Sequence, residues 1–153
     1  MWDLLIAGSE EMAEELGLDA LPAVFVPASL AVIDGWARDH EGPLDEEEVT
    51  KLGLFLARVL VDTHGGGLAI IHQKDHPLDG EWAITGFAKG IANDYHVPFL
   101  VSAARIGYDR SLTAEQWYAQ VIREGRSLGQ AAAKANVDPK RPSKPPAGRR
   151  DRR

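Results

Sequence analysis

The chain has 153 residues, a formal net charge of −6 and no cysteine. Its 44% hydrophobic and 26% charged shares are those of a globular protein. At this size about 68–70% of the unfolded surface is buried on folding, so no disulfide or structural metal is needed. The missing thiol also excludes iron–sulfur clusters, cysteine-ligated zinc and a cysteine nucleophile. No apolar run approaches the roughly 20 residues that span a bilayer, and Met1-Trp2-Asp3-Leu4 lacks a basic leader region; the expectation is a cytoplasmic protein with no membrane contact.

In chain order, Ser9 followed by Glu10 and Glu11 has the pattern of an N-cap with acids at the positive end of a helix. This pattern predicts a helix over 9–17, closed by Gly17 and preceded by a frayed or separate turn. Pro22 and Pro27 bracket Ala23-Val24-Phe25-Val26, a strand or an extended linker. Ser29 is the expected cap of a second helix with Leu30, Ile33 and Ala37 on one face and Trp36 beside them, ending before Gly42-Pro43. Asp45-Glu46-Glu47-Glu48 has capping-box spacing, and Val49, Leu52, Leu56 and Val59 then recur at helical period. A helix over 46–64 follows, with His64 as a cation favoured in its last turn and Gly65 as its stop.

Past Gly65-Gly66-Gly67 the period changes. Leu68 to His72 reads as a strand, Asp75 to Gly80 as a loop, Trp82 to Gly86 as a half-buried strand, and Ile91 to Val97 as a third strand. Short connections make these an antiparallel meander, because parallel pairing needs long crossovers. Phe99 to Ile106 is a short helix, with a fourth strand as its competitor. Thr113 and Gln116 again have capping-box spacing, opening a helix in which Trp117 pairs with Val121 and Tyr118 with Ile122. A last helix covers 127–135. The fold class is therefore α+β: helices, a three-stranded antiparallel meander, then helices, in one domain over 1–137.

Charge is distributed unevenly. Residues 1–62 carry three Lys/Arg against fourteen Asp/Glu, a net −11, and residues 63–137 balance at seven of each sign. Residues 138–153 carry seven basic and two acidic groups, a net +5, with four prolines and no large apolar residue. The composition of that segment predicts a disordered basic tail. Its candidate binding residues are Lys140, Arg141, Lys144, Arg149, Arg150, Arg152 and Arg153. They suit an acidic surface of this or a neighbouring chain, or a phosphate backbone held weakly, or no partner at all.

No nucleotide-binding loop, nucleophile elbow, kinase or zincin motif is present. Gly65-Gly66-Gly67 follows a helix and reads as a stop before a strand. No cofactor is implied. His72, Asp75 and His76 are the candidate metal ligands, on condition that their loop folds back, because residues four apart on a strand lie roughly 13 Å apart. Glu10, Glu11, Glu14 and Glu15 read as a solvated helix face. Trp36 and Trp117 lie on apolar stripes, which leaves Trp82 as the tryptophan exposed for binding.

The stretch Leu52-Gly53-Leu54-Phe55-Leu56-Ala57-Arg58-Val59-Leu60-Val61, entering Gly65-Gly66 and a strand, with Val97-Pro98-Phe99 closing the sheet, resembles small bacterial domains of unknown function. The likeness covers roughly 28–124. It implies a long helix, a Gly-Gly turn, a sheet and further helices, and carries no catalytic residue. A tryptophan tends to follow the Gly-Gly in those domains; Leu68 and Ala69 stand there in this chain. Charge segregation without a chemical motif points to a non-enzymatic interaction or adaptor protein of unknown protein partner, using an acidic N-terminal surface and a basic tail. The alternative is a small metal-dependent hydrolase using His72, Asp75 and His76.

Overall fold

Helix α3 (Glu46–His64) organises the structure, a computed structural model that describes residues 2–136, with side chains through residue 127. Leu52, Gly53, Leu54, Phe55, Leu56, Ala57, Val59 and Leu60 of α3 are all buried, so this helix is covered nearly all round rather than along one stripe. Asp45 caps it as its sequence requires, accepting a hydrogen bond from the Glu48 amide at 2.8 Å. Around it stand α1 (Trp2–Glu15), α2 (Leu30–Asp39), β1 (Gly67–Ile70), β2 (Trp82–Thr85), α4 (Phe99–Gly107) and α5 (Ala114–Asn136). The class is α+β. None of the described helices is long and apolar enough to cross a membrane.

Two close approaches fix the helices on α3. A Cβ on Gly8 of α1 would lie 2.2 Å from Leu54 Cδ1, and one on Gly53 would lie 2.9 Å from Leu100 Cδ2 of α4. Positions 53 and 54 are about 100° apart around the helix, so α1 and α4 dock on different faces. Leu5 and Met12 of α1 and Phe99 and Ala103 of α4 are then driven to full or near-full burial.

This docking corrects the expected start of α1. The helix begins at Trp2, seven residues earlier than Ser9. Ser9 is interior and fully buried: its hydroxyl donates to the Ile6 carbonyl at 3.0 Å and accepts from Arg58 at 3.1 Å. The apolar stripe runs through small residues, Gly8, Ser9 and Ala13, which carry little hydropathy signal but permit close packing. The end is as expected. Gly17 takes a φ of +73°, and the Gly17 and Leu18 amides bond back to the Glu14 and Ala13 carbonyls, a Schellman ending. Ser29 is not a cap either: it sits in a 3-10 turn, Pro27–Ser29, and its hydroxyl donates to the Val24 carbonyl at 2.6 Å. That bond ties the 24–29 segment together, and 23–26 forms no strand.

The sheet has two strands, β1 and β2, antiparallel with Gly67 opposite Thr85 and Ile70 opposite Trp82. The third expected strand does not form. Only Val97 pairs, in an isolated bridge with Ile84, while Ile91–His96 turns. The Ala92 amide bonds to the Gly125 carbonyl of α5, the Tyr95 amide back to Ala92, and the Gly86 amide to the Asn93 carbonyl. Ile91 seats against Gly125, where a Cβ would lie 2.5 Å from Ile91 Cγ2. Gly125 admits Ile91, and α5 runs unbroken from Ala114 to Asn136, so the separate last helix expected over 127–135 is its continuation. Thr113 and Gln116 exchange reciprocal capping bonds at 3.0 Å, and Asp34 of α2 adds a carboxylate that accepts from the Ala114 and Glu115 amides at 2.7 and 3.1 Å. The fourth-strand alternative through Phe99-Leu100-Val101 gives way to α4. The boundary at Val137 and the tail 138–153 lie outside the described residues.

Candidate functional site

The late start of α1 in the sequence reading changes the meaning of its acids. Glu10, Glu11, Glu14 and Glu15 occupy the C-terminal half of the helix, and Glu14 and Glu15 lie in its last turn, where the macrodipole is negative and cations are favoured. Its last turn holds no basic residue. Glu10 faces Glu14 and Glu11 faces Glu15 at i,i+4, so each pair repels. Each of these arrangements costs a few tenths of a kcal/mol. One is relieved: Lys51 of α3 pairs with Glu15, and that carboxylate, with Glu47 and Glu11, raises the lysine's pKa against its partial burial.

The remaining acids border a groove of about 490 Å³ between α1 and the 19–25 segment. Glu10, Glu11, Glu14 and Asp19 stand exposed along it, and none has a cation within 4.0 Å among the described residues. Ala13, Val24 and Phe25 are more deeply set and form an apolar floor. Phe25 is held from beneath by Phe55, ring centroids 5.3 Å apart, and Arg58 lies 4.2 Å over its face. Arg58 is itself tied to Asp62 and Ser9, so the floor is braced from α3. An apolar floor below four carboxylates that lack a direct ion pair among the described residues is shaped for a cationic group carried on an apolar stem.

A second groove, of about 330 Å³, gathers His72, His76 and His96 with Ile71, Leu78 and Pro98. His96 is a member that the sequence reading missed; it comes from the segment expected to be a third strand. Asp75 lies on the same loop with a φ of +69° but does not line this groove. Among the described residues, no three His, Asp or Glu side chains are arranged to hold a metal ion. His76 Nδ1 accepts the Leu78 amide at 3.0 Å, a bond within its own loop. Trp82 is half-buried opposite Ile70 and lines neither groove; Trp2, at 49% exposure, is more open to solvent. Lys140, Arg141, Lys144, Arg149, Arg150, Arg152 and Arg153 lie outside the described residues.

Comparison with protein-family models, curated proteins and solved structures finds no match to this chain. Its function is therefore read from the site itself.

His64 is buried rather than a solvated helix-end cation. The Lys89 carbonyl, which can only accept, lies 3.1 Å from Nδ1, so the proton is on Nδ1. Nε2 then accepts from the Tyr118 hydroxyl at 2.8 Å. Burial first, and the nearby charges of Arg126 and Lys89 after it, lower the His64 pKa, against the raising effect of the Lys89 carbonyl. Burial likewise raises that of Tyr118, with Arg126 opposing. The pair joins α3 to α5 as a neutral, satisfied contact. Since the folded imidazole resists a proton that the unfolded one accepts near pH 6.5, stability falls as pH drops below about 6.5 and levels off beneath the folded pKa. In urea titrations between pH 7.5 and about 5, the variant H64Q should lose less stability over that interval than the native chain. Equal losses would show that His64 does not set the slope.

Proposed function

We propose that the protein is an interaction or adaptor protein that takes a basic segment of a partner polypeptide, one carrying aliphatic or proline side chains, into the α1 groove. The observation that carries this reading is the placement of three exposed carboxylates on the C-terminal half of α1, joined by Asp19 beyond it, above an apolar floor. Local rules are broken where function needs them broken. Lysine and arginine stems supply apolar length for Val24 and Phe25 while their charged ends reach the carboxylates. Such a site gives fast, salt-sensitive association and selects against acidic partners.

The test is a titration of a fluorescently labelled lysine- and proline-containing peptide, read by anisotropy, against an acidic peptide of equal length. The basic peptide should bind, and binding should weaken as salt rises. The double variant E10K/E14K should lower its affinity by about tenfold or more, near 1.4 kcal/mol. The same variant should unfold at equal or higher urea concentration than the native chain, because it places a cation in the last turn of α1 and an opposite charge three residues from Glu11, while the like-charge repulsion between positions 10 and 14 keeps its size. Unchanged affinity in E10K/E14K, or equal binding of the acidic peptide, would overturn the reading.

A further inference from the structure

We infer that the first occupant of the α1 groove is the chain's own C-terminal segment, residues 138–153, bound within the same molecule. This inference rests on the groove reading above and adds its regulation: a partner's basic segment must displace the tail.

Charge complementarity locates the contact. The segment carries a net +5 and the groove offers Glu10, Glu11, Glu14 and Asp19 without a cation among the described residues. Five of the other acids of the N-terminal half are engaged elsewhere. Asp45 caps α3, Asp34 caps α5, Glu15 holds Lys51, Asp62 holds Arg58, and Glu48 lies 3.6 Å from His40. The four prolines of the segment suit the floor, since proline rings in an extended chain dock on aromatic surfaces such as Phe25 at little entropic cost.

Reach is sufficient. Seventeen residues follow Asn136, the end of α5, and span up to about 56 Å when extended. A domain of this size has a radius of gyration of about 14 Å, so the extended segment is several times longer than that radius. Covalent attachment also settles the choice between the chain's own tail and that of a second copy. A tether of this length sets an effective concentration on the order of millimolar, above the concentration at which a second copy competes. The groove is thereby masked in the free protein and opened by competition, with no movement of the helices required.

The full-length chain lends itself to a direct test, because it has no cysteine to remove. A nitroxide attached to S143C should cause loss of the α1 amide signals around Ala7–Glu14 in a nitrogen-15 spectrum at low salt. The signals should return at about 1 M NaCl, where the screening length is about 3 Å. They should also return in E10K/E14K, whose other resonances report an intact fold. In a mixture of isotope-labelled chains without nitroxide and unlabelled chains bearing it, the same signals should stay intact. Loss in that mixture to the same extent as within one chain would mean exchange between copies and would overturn the inference. So would signals unaffected in the single-chain sample. If the tail leaves α1 untouched while the basic peptide still binds there, only the inference about the tail falls. If the peptide fails as well, the groove reading falls with it.

Discussion

Replacing Phe55 with alanine should cost about 3–5 kcal/mol, a large fraction of the stability of an ordinary domain. Phe55 is fully buried in the middle of α3, among core side chains drawn from α1, the 24–25 linker and α4. Its loss removes the ring's transfer free energy and leaves a cavity that the surrounding helices close only in part. The variant F55L keeps most of the volume and should cost less than about 1.5 kcal/mol. The two differ in a second respect. Phe55 supports Phe25, the aromatic part of the groove floor, so F55L should fold yet bind the basic peptide more weakly than the native chain. Urea unfolding gives the first quantity and anisotropy the second. A stable F55A would contradict the placement of this ring at the centre of the core. Unaltered peptide binding by F55L would separate the groove from the core beneath it.

The variant G66A should cost at least about 3 kcal/mol, although it adds one methyl group. Gly66 has a φ of +98°, which an L-residue adopts only with strain of about 1–3 kcal/mol. A Cβ there would also meet the Thr85 carbonyl oxygen at 2.7 Å, with Phe87 and Ile84 side chains just beyond. That carbonyl belongs to β2, whose register with Gly67 it helps to define, so it has no freedom to retreat. Gly17 provides the comparison. Its φ is +73°, but a Cβ would meet nothing within 4 Å, so G17A should cost about 1 kcal/mol, the conformational part alone. The difference of roughly 2 kcal/mol isolates the close approach of the α3–β1 turn to β2. Equal losses in the two variants would leave conformational strain as the whole effect.

These two positions also show how unevenly the structure is written into the sequence. Asp45 with Glu48 and Thr113 with Gln116 announce their helix starts because donor and acceptor lie three residues apart. The α3 period and the glycine stops at Gly17 and Gly65 are equally local. The groove was legible only as composition: the acids and the Val24-Phe25 run are plain, but nothing local joins them. Their meeting depends on α1 docking through Gly8 against Leu54, thirty or more residues away.

Local spacing therefore determined α3, the start of α5, the strand pair around the Gly-rich turn, the absence of thiol chemistry and the segregation of charge. Tertiary contact decided the rest. It extended α1 back to Trp2 by burying a stripe of small residues, turned 91–96 away from the sheet to meet Gly125, and made His64 a neutral partner of Tyr118. The physical reason is common to all three. Glycine, serine and alanine bury little apolar surface of their own and the charge of histidine follows its surroundings, so the free energy that fixes these segments comes from neighbours distant in sequence.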